Sequence, residues 1–223
     1  MNLLKYFQKI KWEILARTNP NYYVFSDNFI SKDEIRYRKS GKDDFHKFVL
    51  KDKKLGKYLE KSQEKICLEF GCGNGRMTEF LAEIFAKVYA VDISEAMIES
   101  AKKRLKRIKN ISYLVEDKGK KINLDDKSAD FIFSYIVLQH LPSKKMVKDV
   151  LSEFYRILKN DGFIKIQIRG VPSYGGLFRY FKWYYGVSFS KKEIRNILEE
   201  IGFKVIHSKG KETKLFWLLI QKI

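Results

Sequence analysis

Cysteine is almost missing from this sequence: Cys67 and Cys72 are the only two. Five residues apart and flanking a glycine run, they suit neither a disulfide framework nor a zinc site, so no metal is expected. A reducing, cytoplasmic setting is the simplest expectation. No apolar run approaches the roughly 18 residues of a membrane span. The opening MNLLKYFQKIKW is broken by lysines and lacks the apolar core of a secretory signal. Internal repeats and low-complexity linkers are missing too, so no repeat array is expected. Acidic residues are outnumbered, 27 against 45 basic, which gives a formal net charge of +18.

That excess would suit nucleic acid, an anionic membrane or an acidic substrate. Its distribution argues against a dedicated nucleic-acid arm. Residues 1–64, 65–170 and 171–223 each carry a net +6, with no basic tail or block. A lysine-rich surface kept for solubility or heat tolerance explains it more simply. What is plentiful is core material: 45% of residues are hydrophobic and 15% aromatic, in a chain of 223 residues. That is enough for one well-cored domain.

From Lys65 onward apolar strands alternate with amphipathic helices. KICLEF (65–70) reads as a buried strand that ends at glycines, and Phe80, Leu81, Ile84 and Phe85 then recur on one helical face. KVYAVD (87–92) is a second strand. Ser94 can cap the helix that follows, with Ile98, Ala101, Leu105 and Ile108 on its face. ISYLV (111–115) and DFIFSYIVL (130–138) are further strands. The next helix aligns Val147, Val150, Leu151, Phe154 and Leu158 and is expected to stop near Asn160-Asp161-Gly162. FIKIQI (163–168) follows as a strand. Ser190 and Glu193 form a capping box, Gly202 ends that helix, and 203–208 and 215–221 are extended. The alternation argues for an α/β fold with a doubly wound, mostly parallel sheet. Residues 1–64 read as a helical N-terminal cover belonging to the same domain. Leu3, Phe7, Ile10 and Ile14 stripe a basic first helix, NPNYYVFSDN breaks it, and a second helical stretch spans roughly 43–61. A core-facing stripe is the expectation.

The chemistry gathers in LEFGCGNGRMTEFLA (68–82). Gly71 permits a tight turn off the strand, while Gly73 and Gly75 let a ligand and the next helix approach the backbone. Glu69 sits near the strand's carboxyl end. Asp92 follows Gly71 by 21 residues at the tip of the next strand, where an acid can accept both hydroxyls of a ribose. A dinucleotide fingerprint would place its last glycine at position 76, which is Arg76.

These residues resemble the class I S-adenosylmethionine-dependent methyltransferases, of the small-molecule or quinone type. LEFGCGNGRMTEFLA looks like their first motif and VYAVDISEAMIESAKKRL like their second. EDKGKKINLDDKSADFIFSYIVLQHLP resembles the adenine-flanking segment with the strand after it, and FYRILKNDGFIKIQIRG resembles the element leading into the next strand. The likeness covers roughly 65–223. It implies a Rossmann-like, seven-stranded sheet with an antiparallel last strand. It also implies S-adenosyl-L-methionine as donor and S-adenosyl-L-homocysteine as product. Gly71, Cys72, Gly73 and Gly75 would then line the methionine and ribose portions, and Glu69 would organise the loop or meet the amino group. Asp92 would take the ribose diol. Ile93 and Met97 would pack near the adenine, with Glu116 and Asp117 at its edge. Tyr135 would border the methyl-donor end.

Transfer to an O, N or C nucleophile would be an in-line displacement, promoted by alignment and exclusion of water. His140, past the end of a core strand, is the candidate base, since histidine titrates near neutrality. His46 and His207 read as structural. The motif D/N-P-P-Y/F of base-amine methylation is absent where the chain has SYIV, and neither cysteine stands where a pyrimidine nucleophile would. A small-molecule or lipid-like acceptor is the default. RNA modification by the basic surface and a non-catalytic donor-binding module are the alternatives. YGGLFRYFKWYYGVSF (174–189), half of it aromatic, reads as an acceptor lid, a dimer interface or core. Together with the basic first helix it would also suit peripheral contact with an anionic membrane. Monomer and homodimer both remain open.

Overall fold

The short apolar runs become strands and the longer periodic stretches become helices. A computed structural model describes residues 3–116, 121–171 and 186–223. The chain divides into two compact units, Met1–Lys120 and Lys121–Ile223.

In the first unit, β1 (Ile66–Phe70), β2 (Lys87–Asp92) and β3 (Ile111–Val115) lie in the order β3-β2-β1, all parallel. Phe70 pairs with Val91 and Asp92 with Val115, so the carboxyl ends of all three strands fall together. Parallel neighbours require crossover helices. These are α5 (Thr78–Ile84) and α6 (Glu95–Arg104). Ser94 caps α6 as expected, its hydroxyl accepting from the Met97 amide. The helix stops one residue short of Leu105, so Ile108 lies beyond it. Cys67, Leu68, Val88 and Ala90 are fully buried, as a sheet covered on both faces demands.

Ahead of β1 stand α1 (Leu3–Thr18), α2 (Pro20–Val24), α3 (Glu34–Phe45), a π-helical turn at His46–Leu50, and α4 (Gly56–Leu59). The break at NPNYYV is itself a short helix, with Pro20 in its first turn and Asn19 capping it. α3 begins well before the expected residue 43 because Asp33 caps it, accepting from the amides of Ile35 and Arg36. The stripe on α1 is turned the other way from expectation. Phe7 and Ile14 are each 58% exposed and Ile10 37%, whereas Gln8 and Ala16 are buried. A polar tether sets that orientation: Glu13 accepts from the Ser94 hydroxyl (2.8 Å) and the Ala96 amide (3.3 Å).

The second unit holds β4 (Ala129–Ser134), β5 (Leu158–Ile168), β6 (Phe203–Lys209) and β7 (Phe216–Lys222) in the order β4-β5-β7-β6. β4 and β5 are parallel, and β7 runs antiparallel to both β5 and β6. α7 (Lys144–Ile157) buries Met146, Val147, Leu151, Phe154 and Ile157. α8 (Lys191–Ile201) carries the expected capping box, and Gly202 closes it at φ +106°. Two boundaries differ from the sequence reading. β4 ends at Ser134, because Ile136 takes φ +58° and a 3-10 turn follows at Leu138–His140. α7 ends at Ile157, because Leu158 already pairs with Ala129. Asn160-Asp161-Gly162 is then an irregularity inside β5, with Asp161 at φ +61°, and not a helix stop.

Candidate active site

The glycine loop leaves β1 through a tight turn in which the amides of Gly71 and Cys72 both donate to the Val91 carbonyl (2.7 and 3.0 Å). Gly73 lies at φ +55°, and a Cβ there would stand 2.6 Å from Val24 Cγ2. Gly75 lies at φ +85°, where a Cβ would meet Leu105 Cδ1 at 2.7 Å. The left-handed backbone and the close neighbours both require glycine.

Asp92 joins the loop to the next helix. Its carboxylate accepts from the Gly73 amide (2.8 Å) and from the Ser94 amide (2.9 Å). Desolvation pushes its pKa up to about 6 despite these bonds, and the nearby Glu116 carboxylate pushes the same way. Glu69 is buried and accepts from the Thr78 hydroxyl (2.5 Å). Desolvation holds it at about 8; Thr78 and Arg76 oppose the rise and Asp92 adds to it. Glu116 is buried, and its amide donates to the Asp92 carbonyl. Ile93 is half-buried beside Asp92, and Met97 is buried in the first turn of α6. Burial pushes the thiols of Cys67 and Cys72 well above their ordinary range, so neither is a thiolate nucleophile at neutral pH. Asp117 and most of the aromatic segment, 174–185, lie outside the described residues.

Several residues that hold the loop escape a reading of motifs. Tyr37, fully buried on α3, donates to Asn74 Oδ1 (2.7 Å), and Asn74 Nδ2 donates to Asn21 Oδ1 (2.5 Å). Arg76 is 2% exposed and is bridged to Asp44 (2.8 Å), with its guanidinium over the Phe25 ring. Asn74 and Arg76 were the available signal. Two large polar side chains beside a buried glycine turn need partners, and the N-terminal helices supply them.

Tyr135 and His140 belong to the second unit. Tyr135 stacks on Trp217 with ring centroids 5.1 Å apart. His140, buried in the 3-10 turn, has Nε2 3.3 Å from Gln139 Nε2. Gln167 ties this group together, donating to Gln139 Oε1 (3.1 Å) and accepting from the Ile136 amide (3.0 Å). Among the described residues no group of acids, cysteines and histidines is arranged to hold a metal.

Burial opposes the ionisation of Glu69 and Asp92 at the neighbouring carboxyl ends of β1 and β2, and nearby acids add to it, so a cation would be favoured there over a phosphate. Residues 68–166 match the family model described as a methyltransferase domain. That stretch is similar to methyltransferase domains. The malonyl-[acyl-carrier protein] O-methyltransferase 2 of Ilyobacter polytropus is 34% identical to this chain over 124 residues, 54% of this chain and 46% of that protein. The ubiquinone biosynthesis O-methyltransferase of Coxiella burnetii is 34% identical over 98 residues, 42% of each. The chain thus spans about half the length of the relatives it matches. Among solved structures, the S-adenosylmethionine-dependent methyltransferase of Aquifex aeolicus aligns at a TM-score of 0.62 and 22% identity, covering 86% of this chain and 99% of that one. The magnesium protoporphyrin IX methyltransferase of Synechocystis aligns at 0.66 and 18%, covering 99% and 97%. Likeness at that identity shows the fold, which is α/β and Rossmann-like, with seven strands, mostly parallel and closed by an antiparallel one.

Proposed function

We propose that this chain moves a methyl group from S-adenosylmethionine to an O, N or C nucleophile of a small-molecule or lipid-like acceptor. The observation that carries the reading is Asp92, whose carboxylate bridges the loop amide of Gly73 and the helix amide of Ser94 beside two further buried acids. The donor supplies a methyl on a sulfonium, together with an ammonium, and this set of carboxylates suits both cations. Asp92 takes the ribose hydroxyls, and Glu69 meets the ammonium or steadies the loop through Thr78. Gly71, Cys72, Gly73 and Gly75 give the methionine and ribose portions a backbone without side chains. Ile93 and Met97 pack near the adenine, Glu116 flanks its edge with Asp117, and Tyr135 borders the methyl end. Residues 1–64 serve as the cover and 65–223 as the catalytic domain.

The names of relatives that act on malonyl-[acyl-carrier protein] and in ubiquinone biosynthesis support a small-molecule or lipid-like acceptor. Calorimetric titration tests the donor: micromolar binding of S-adenosylmethionine and S-adenosylhomocysteine and none of NAD are expected. Asp92→Ala should weaken both by about tenfold to a hundredfold, the ~1.5–3 kcal/mol of hydrogen bonds to a charged group. Undiminished affinity would sink the assignment. For acceptors that must lose a proton, His140 takes it. His140→Gln should then lower kcat by about a hundredfold or more and remove the acidic limb of its pH profile, with donor affinity unchanged. A pH profile that keeps that limb would reduce His140 to packing.

A further inference from the structure

The helix α1 is amphipathic in the sense opposite to that of a helix packed on a core. Phe7, Ile10 and Ile14 fall on one face, with Tyr6 beside Ile10, and these four are 58%, 37%, 58% and 44% exposed. The other face is the buried one. It presents Gln8 and Ala16, and Glu13 at its margin holds the start of α6 through Ser94 and Ala96. Turning the helix to bury Phe7 and Ile14 would break both Glu13 bonds. The outward stripe is therefore a built orientation.

The surroundings of the stripe are basic. Arg17 falls on the same face, its side chain 70% exposed, and Lys9 and Lys11 are half-buried on the same helix. The whole chain carries +18. A basic helix that offers phenylalanine, tyrosine and isoleucine outward has the composition of one that lies in a lipid interface. Charge selects the occupant. Two copies of a +18 chain would bring like charges together, whereas an anionic bilayer attracts each lysine and arginine near its surface. Aliphatic Ile10 and Ile14 offer nothing to the phosphates or base faces of RNA. No helix among the described residues is long and apolar enough to cross a membrane, so this contact is peripheral.

We propose that α1 docks the chain on the surface of an anionic lipid bilayer, with Phe7, Ile10 and Ile14 laid into the headgroup–acyl boundary. The proposal rests on α1 alone and does not depend on the acceptor or the donor.

The test is flotation of the intact chain with vesicles of mixed phosphatidylglycerol and phosphatidylcholine, and with phosphatidylcholine alone. Binding to the anionic vesicles, weakened by high salt and absent on the neutral ones, is expected. The pair Phe7→Ser and Ile14→Ser should cut that binding by about tenfold. Both positions are solvent-facing, so the thermal melt and the donor titration of the variant should match those of the unaltered chain. Absence of binding to anionic vesicles, or equal binding by the variant, overturns the proposal. So does a dimer seen by light scattering that the double substitution splits, because the stripe would then belong to a second copy. Loss of RNA retention by the variant, with vesicle binding unchanged, overturns it as well.

Discussion

Glu69 shows what burial does to a single carboxyl. The folded chain holds it at about 8 against an ordinary 4.5, chiefly by desolvation. The folded state therefore keeps a proton that the unfolded chain has lost, and the Glu69 contribution to stability falls as pH rises from about 4.5 to about 8. Glu69→Gln should flatten that part of the pH–stability curve in urea unfolding. In the donor site proposed above, the same proton would enter donor binding. An ammonium beside Glu69 favours the ionised form, so near pH 7 binding should release up to one proton and tighten as pH approaches 8. Calorimetry in buffers of different ionisation heat reads that release, and the Glu69→Gln variant should show none. This role was only half legible in the sequence. The position two residues before the glycines marks Glu69, but its protonation depends on Thr78, Arg76 and Asp92, which only the folded backbone gathers.

At the scale of elements, Gly73 and α2 are the informative pair. A methyl group at Gly73 meets Val24 Cγ2 at 2.6 Å and also strains a backbone held at φ +55°. Gly73→Ala should cost both terms, and Val24→Ala in the same chain should recover the clash but leave the ~1–2 kcal/mol of left-handed strain. A double-mutant cycle by urea unfolding reads the difference, and additive effects would show that α2 does not press on the loop. The elements themselves were largely legible. Strand–helix alternation, the Ser94 cap, the Ser190–Glu193 box and the Gly202 stop all stand in the sequence because each is local chemistry. Boundaries set by pairing were not. Leu158 joins β5 because Ala129 is opposite it, and β4 stops where Ile136 turns left-handed. The face of α1 was misread for a related reason: its periodicity was clear, but Glu13, a charged residue, decided which side was held.

Across the whole molecule, net charge and apolar exposure are separate signals that meet on α1. The even spread of +6 through each stretch argued for a general basic surface, and counting residues could not reveal that one helix adds an outward apolar stripe to it. The tethers around Asn74 and Arg76 bear on where this protein can be cut. The stretch that matches the family model, 68–166, is shorter than the stretch that shapes the glycine loop. A chain begun at Lys65 would keep every recognisable motif. It would also strand Asn74 without Tyr37 and Asn21, and leave the Arg76 guanidinium without Asp44. Each buried polar group so abandoned costs about 1–3 kcal/mol, a large share of the ~5–15 kcal/mol that keeps a domain folded. Such a shortened protein is expected to aggregate or melt early in gel filtration and calorimetry. The recognisable motif of this fold lies in its glycines, but the side chains that satisfy that loop begin about fifty residues earlier, with Asn21.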